Sequence, residues 1–172
     1  MNLKNHIREF PDFPKPGIMF KDISPVLKNT TAMHYIAKEF YNRFNEKKID
    51  LIAGIESRGL IFASILAMHF NIGFIMARKR GKLPGDVKEV TYDIEYGSSV
   101  MEIQHDAVSP GQNVLIVDDL LATGGTCKAA AHLIEKLGGN VVGCAFVIEL
   151  ANLNGRDLIK QYDIQTLVTY DN

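Results

Sequence analysis

Cysteine is scarce in this chain, with only Cys127 and Cys144 among 172 residues. Both fall in predicted core elements without paired or metal-ligand spacing, which argues against a disulfide scaffold and for buried free thiols in a reducing compartment. The five histidines show no metal-ligand spacing either. No stretch approaches the roughly 20 apolar residues of a membrane span. The opening Met-Asn-Leu-Lys-Asn-His lacks the apolar run of a signal peptide. The expectation is therefore a cytoplasmic protein with no membrane partner. A formal net charge of -1 leaves no general basic surface for nucleic acid. There is no G-x-G-x-x-G, and residues 54–59 fail as a P-loop because Leu60 stands where the lysine must be. Dinucleotide and ATPase readings lose their main support. No repeat, low-complexity tract or linker interrupts the sequence. At 47% hydrophobic and 23% charged residues, a single domain over 1–172 with a full core is expected.

What is present centres on Val114-Leu-Ile-Val-Asp118-Asp119-Leu-Leu-Ala122-Thr123-Gly124-Gly125-Thr126. Residues 114–117 form a continuous apolar run rich in β-branched side chains, suited to a parallel strand buried on both faces. Two carboxylates follow where that strand should end, then a small-residue turn, then a helical pattern over 127–137. Strand, polar turn and helix start place ligands at the carboxyl edge of an open α/β sheet. The small residues leave backbone N–H groups uncovered at a helix N-terminus, which makes an anion site reinforced by two hydroxyls. Bare carboxylates beside a phosphate would repel it unless they accept hydrogen bonds from sugar hydroxyls or help hold a cation. A sugar phosphate fits that pairing better than a free nucleotide tail.

At these residues the sequence resembles the phosphoribosyl-pyrophosphate signature of the type I phosphoribosyltransferases. The resemblance implies that Asp118 and Asp119 face a ribose diol. It also implies that Ala122, Thr123, Gly124, Gly125 and Thr126 hold the 5′-phosphate. The expected fold is a mostly parallel sheet flanked by helices, with a small hood and a flexible flap over the active site.

Residues 2–9 are expected to form a short helix, with Leu3, Ile7 and Phe10 sharing a face. The segment Phe10-Pro11-Asp12-Phe13-Pro14-Lys15-Pro16-Gly17-Ile18-Met19-Phe20-Lys21-Asp22-Ile23-Ser24-Pro25 follows, and its prolines impose an extended, kinked course. Alone it reads as an arm over a sheet edge or a dimer interface. Its Phe-Pro, Pro-Gly, Phe and Asp-Ile-Ser-Pro elements resemble the N-terminal signature of adenine phosphoribosyltransferases, where this segment helps form a hood over the base. The resemblance implies backbone contact with adenine around Met19, with Phe20 packing nearby. Lys21 stands where relatives usually carry arginine; it keeps the charge and loses the planar fork.

A helix capped by Asn29 or Thr30 is expected to run to about Lys48, with Met33, Ile36, Ala37, Phe40 and Phe44 as its buried stripe. Residues 51–55 read as a buried strand, followed by Glu56-Ser57-Arg58-Gly59 and an apolar helix to Phe70. By itself the turn is a surface turn with a solvated arginine; the resemblance gives Ser57 and Arg58 to pyrophosphate, with Arg58 also approaching the base. Residues 73–77 form another strand, and Arg78-Lys79-Arg80-Gly81-Lys82 then concentrates four cations in five positions. A basic run is ordinarily solvated surface or a nucleic-acid patch. Beside a phosphate site in a slightly acidic chain, such cations with Mg2+ suit a pyrophosphate. The resemblance selects Lys79 and Lys82 for those contacts and leaves Arg78 partly structural.

A connection over residues 79–89 leads to strands at 91–96 and 98–104, joined at Gly97 as a flap that would keep water from an activated sugar. Periodicity puts Glu95 on the outward face of an edge strand, whereas Glu95-Tyr96-Gly97 resembles the family element carrying an acid/base glutamate. Ser109-Pro110-Gly111 forms a turn, Gly138-Gly139 closes the helix, and strands follow at 141–148 and 164–170. Residues 149–156 resemble the family's C-terminal contribution to the base pocket, with Leu150 against the purine. The hood is thus expected from about 1–28 and 149–160.

The implied reaction joins adenine to 5-phospho-α-D-ribose 1-diphosphate, giving AMP and pyrophosphate, with Mg2+ held mainly by substrate rather than by direct protein ligands. A homodimer is implied by the same resemblance. Two alternatives stay open on the sequence alone. One is a xanthine or guanine enzyme of the same superfamily, against which the Phe-Pro and Pro-Gly arm argues. The other is a regulator of the same fold that senses the sugar phosphate, which would need a DNA-binding domain or basic face.

Overall fold

A computed structural model describes residues 1–94 and 97–171. Seven strands form the main sheet in the order β5-β6-β4-β3-β7-β8-β9. Its parallel part comprises β4 (Gly73–Lys79), β3 (Leu51–Ile55), β7 (Asn113–Leu121), β8 (Asn140–Leu150) and β9 (Ile164–Tyr170). β5 (Val87–Ile94) and β6 (Gly97–Gln104) join one edge in antiparallel fashion. This is the expected mostly parallel sheet, with helices on both faces.

Alternation along the central strands explains the two layers. Ile52, Leu115, Val117, Ala145 and Val147 face α2 (Thr30–Phe44) and α3 (Gly59–Phe70). The intervening Ala53, Ile55, Val114, Ile116, Cys144 and Phe146 face α4 (Gly125–Lys136). A strand covered on both sides needs apolar residues at every position, so its sequence is a run rather than an alternation. α3 comes close to β3 because Gly54 lacks a side chain: a Cβ there would lie 2.6 Å from the Ala63 Cβ. Both cysteines are buried and free, with their sulfurs 3.5 Å apart.

Several boundaries differ from the sequence expectation. The helix over 2–9 is a single 3-10 turn at Leu3–His6, after which β1 (Arg8–Phe10) pairs with β2 (Phe20–Asp22). Leu3 and Ile7 are buried, but Phe10 is exposed, so the three do not share a covered face. Proline and glycine between the two strands reverse the chain, and the Arg8–Asp22 ion pair at 2.6 Å ties them together. The helix expected to reach Lys48 stops at Phe44, and a separate short α1 (Ser24–Lys28) precedes it. β7 does not end before its carboxylates but runs on to Leu121, because Asp118 and Leu120 continue the pairing with Phe146 and Ile148 of β8. β5 starts at Val87, so the connection after β4 covers only 80–86. Among the described residues, no helix is long and apolar enough to cross a membrane.

Candidate active site

A cleft of about 390 Å³ opens beside the carboxyl ends of β3 and β7. α3 and α4 both start at it, and neither first turn contains an acidic residue or a side-chain cap. A helix begins with several backbone N–H groups that have no partner within the helix, and its dipole places partial positive charge there. Two such termini facing one cleft suit a ligand with anionic groups at two ends.

Between them lie Asp118 and Asp119. Asp119 accepts a hydrogen bond from Arg58 Nε at 2.5 Å, across 61 positions of sequence. Asp118 Oδ1 accepts the Asp119 backbone N–H at 2.8 Å. Burial and the adjacent Asp119 charge push the Asp118 carboxyl well above the usual range, against the pull of that N–H and the Arg58 cation. The pair is therefore chemically unequal: one carboxyl resists ionisation, while the other is already bound to a guanidinium. Gly59 makes the approach possible, since a Cβ there would stand 2.6 Å from Asp118 Oδ1.

The turn after β7 is shaped by close backbone contact. Gly124 has φ +83°, a left-handed conformation that side chains disfavour, and a Cβ would meet the Gly155 carbonyl. Ala122, Thr123, Gly124 and Thr126 line the cleft together with Ser57, Arg58, Lys79, Asp118 and Asp119. Gly125 instead lies under the flap, where a Cβ would sit 2.6 Å from the Asp93 carbonyl oxygen. Tyr92 of the flap also lines the cleft. Glu95 lies outside the described residues.

The remaining residues expected to contact substrate are not among those lining this cleft. Met19 is 43% exposed on the N-terminal arm. Phe20 packs edge-on against Phe13 at 5.1 Å between ring centres and lies under the Arg58 guanidinium at 5.4 Å, which links the arm to the cleft. The Lys21 side chain is only 3% exposed; its ammonium pairs with Glu9 at 3.0 Å and stands 3.8 Å over the Tyr170 ring. Leu150 is half-buried against the α2–α3 core layer. Lys82 is exposed, and its backbone N–H donates to Glu102.

Sequence reasoning missed Glu102. It is 2% exposed and accepts the N–H groups of Gly81, Lys82 and Leu83 at 3.0, 2.8 and 2.7 Å, fixing the start of the basic loop. Burial raises its pKa, but these three donors and the Arg80 charge together outweigh burial and hold the carboxyl below the usual range. Its place between Met101 and Ile103 marks it only as the opposite face of a strand, so no local signal identifies it. Arg78 is held by Glu56 at 2.9 Å and reaches the Lys82 carbonyl at 3.4 Å.

Comparison with known proteins decides the family. A family model described as phosphoribosyl transferase domain matches residues 23–171. The adenine phosphoribosyltransferase of Nitrosopumilus maritimus (strain SCM1) is 58% identical over 170 residues, covering 99% of this chain and 100% of that one. The chain belongs to the adenine phosphoribosyltransferase family. The crystal structure of the adenine phosphoribosyltransferase from Thermoanaerobacter pseudethanolicus superimposes with a TM-score of 0.95 at 48% identity, over 98% of both chains. The Saccharomyces cerevisiae adenine phosphoribosyltransferase, complexed with an imino-altritol bisphosphate and adenine, superimposes with a TM-score of 0.90 at 42% identity, over 96% of both chains. Both sequence resemblances, to the type I phosphoribosyltransferases and to their adenine-specific members, thus lead to one family.

Proposed function

We propose that this chain transfers the phosphoribosyl group of 5-phospho-α-D-ribose 1-diphosphate to adenine, giving AMP and pyrophosphate. The observation that carries this reading is the pair of helix N-termini, without side-chain caps, flanking Asp118 and Asp119 in one cleft. A sugar with phosphate groups at both ends, and a diol between them, matches that order of donors and acceptors. The 5′-phosphate belongs at Ala122, Thr123, Gly124, Gly125 and Thr126. The diol belongs at Asp118 and Asp119, and the diphosphate at Ser57, Arg58, Lys79 and Lys82. Binding of the diol competes with the Arg58–Asp119 pair, which frees the guanidinium for the diphosphate and the base.

The reaction breaks the anomeric C–O bond as adenine N9 attacks, through a transition state with oxocarbenium character. Donors already aimed at the departing diphosphate stabilise its charge without reorganising. Adenine must also shed an imidazole proton, and Glu95 is assigned as its acceptor. For the base, the backbone at Met19 is assigned the N1 and 6-amino edge, with Phe20, Lys21, Arg58 and Leu150 around the ring. Residues 1–28 and 149–160 together form the hood. Lys21, tied to Glu9 and Tyr170, serves the ring by fixing the strand that carries Phe20.

We assign Mg2+ to the substrate's diphosphate rather than to direct protein ligands. Magnesium commonly keeps waters and binds substrate phosphates through few protein ligands. When bound, the ion would supply charge neutralisation on the diphosphate. A cytoplasmic homodimer completes the reading, on the strength of the family.

AMP formation from adenine, the sugar diphosphate and Mg2+ tests the proposal directly, with Glu95→Gln as the second arm. The expected result is robust AMP formation by the native chain. The variant should lose about a hundredfold in kcat, within the usual range for general-base catalysis, with KM for the sugar diphosphate unchanged. No AMP from the native chain contradicts the function, and full activity of the variant contradicts the role of Glu95.

A further inference from the structure

The turn assigned to the 5′-phosphate leans on a segment that the sequence relates only to the base. Gly155 is buried at the start of α5 (Gly155–Leu158), and a Cβ there would lie 3.0 Å from both the Ala122 carbonyl carbon and the Gly124 nitrogen. The contact is reciprocal, because a Cβ on Gly124 would lie 3.2 Å from the Gly155 carbonyl carbon. Backbone rests on backbone, so a displacement of Gly155 is transmitted to the turn without a compliant side chain between them.

The next residue fixes Gly155. Arg156 makes a two-pronged pair with Glu149, Nε to Oε1 at 2.6 Å and Nη2 to Oε2 at 2.8 Å. Its Nη2 also donates to Thr166 Oγ1 at 3.0 Å, and Nη1 to the Ile164 carbonyl at 3.3 Å. Thr166 donates in turn to Glu149 Oε2 at 2.9 Å. Glu149 lies beside Leu121 in the β7–β8 register, the residue just before the turn. One guanidinium thus joins the end of β8, the start of α5 and the start of β9.

We propose that Arg156, oriented by Glu149 and Thr166, is a positioning residue for the phosphate turn, acting through Gly155. This rests on the phosphoribosyltransferase reading above. The effect falls mainly on the sugar phosphate, because Gly155 rests on Ala122 and Gly124 of the turn, whereas Leu150 also has its own pairing with Tyr170 in the β8–β9 register.

Calorimetric titration with ribose 5-phosphate, which needs no turnover, and KM values for both substrates test this in Arg156→Met, Arg156→Lys and Thr166→Val. Arg156→Met should weaken ribose 5-phosphate binding and raise KM for the sugar diphosphate by about tenfold, leaving KM for adenine within about threefold. Lysine keeps charge without the planar fork and should fall between native and methionine. Thr166→Val, the mildest change, should shift the same two quantities by about threefold. Unchanged ribose 5-phosphate affinity in the folded variants overturns the proposal, as does an equal loss for adenine. If Arg156→Met does not fold, Arg156→Lys and Thr166→Val carry the same test. Failure of the native chain to bind ribose 5-phosphate would instead overturn the assignment of the phosphate turn itself.

Discussion

The turn proposed for the 5′-phosphate is gripped by backbone on both sides, by Gly155 against Ala122 and Gly124 and by the Asp93 carbonyl against Gly125. The N-terminal arm is attached differently, through side chains: Lys21 over the Tyr170 ring, and Phe20 under Arg58. Backbone contacts tolerate almost no change, since any added atom must displace the main chain. Side-chain contacts can be exchanged for others of similar size and charge. A phosphate presents the same oxygens in every turnover and suits the rigid cradle. A base is recognised by its edge and suits a surface that can be adjusted.

Breaking the rigid side should have the largest effect. Gly124→Ala imposes a side chain on a left-handed backbone that also faces the Gly155 carbonyl. Strain of this kind costs about 1–3 kcal/mol before any clash is counted. Steady-state kinetics should show at least about a hundredfold fall in kcat/KM for the sugar diphosphate, or about 2.7 kcal/mol. A fall of less than about threefold would mean that the turn is more compliant than its contacts imply.

Asp118→Asn should separate stability from activity. The Asp118 carboxyl has its pKa raised in the fold, so its ionised form is penalised there and not in the unfolded chain. Stability is therefore lost as pH rises through the folded pKa, and asparagine removes that loss. The variant should melt higher than the native chain at about pH 8, and the gain should shrink as pH falls toward about 5. Turnover should fall by about a hundredfold if the proposed diol contact holds, because the amide replaces a carboxyl oxygen there with an NH2 group that cannot accept a hydrogen bond. A melting temperature below native at high pH would contradict the burial account.

On the adjustable side, Phe20→Ala removes the ring that meets both Phe13 and Arg58. Ring pairs and cation–π contacts are each worth about 1 kcal/mol. KM for adenine should rise by about tenfold while KM for the sugar diphosphate changes by less than about threefold. Equal effects on both would erase the contrast between arm and turn.

What could be read from the sequence follows the same division. The central strands were legible because burial on both faces demands unbroken apolar runs, and the strand–turn–helix at 114–136 because strand, acids, small residues and helix are contiguous. The Arg58–Asp119 pair, the Glu102 anchor and the Arg156 clamp were not, since each joins residues that only the folded sheet brings together. The short helix expected over 2–9 failed for a related reason. Leu3, Ile7 and Phe10 have helical spacing, but the partner that draws Arg8–Phe10 into a strand lies at Phe20–Asp22, beyond the reach of local periodicity. The reach of β7 past Asp118 was hidden because carboxylates normally mark a strand's end, whereas here β8 continues the pairing alongside them.

Pyrophosphate release with the sugar diphosphate and Mg2+, compared across adenine, hypoxanthine, guanine and xanthine, bears most directly on the whole account. Adenine offers a donor at its 6-amino group and an acceptor at N1, and hypoxanthine reverses both. A backbone carbonyl and N–H at Met19 would be left unpaired by the wrong base, a penalty that discriminates strongly. The account predicts rapid release with adenine and at least about a thousandfold lower kcat/KM with hypoxanthine. Equal turnover of the two bases would contradict it.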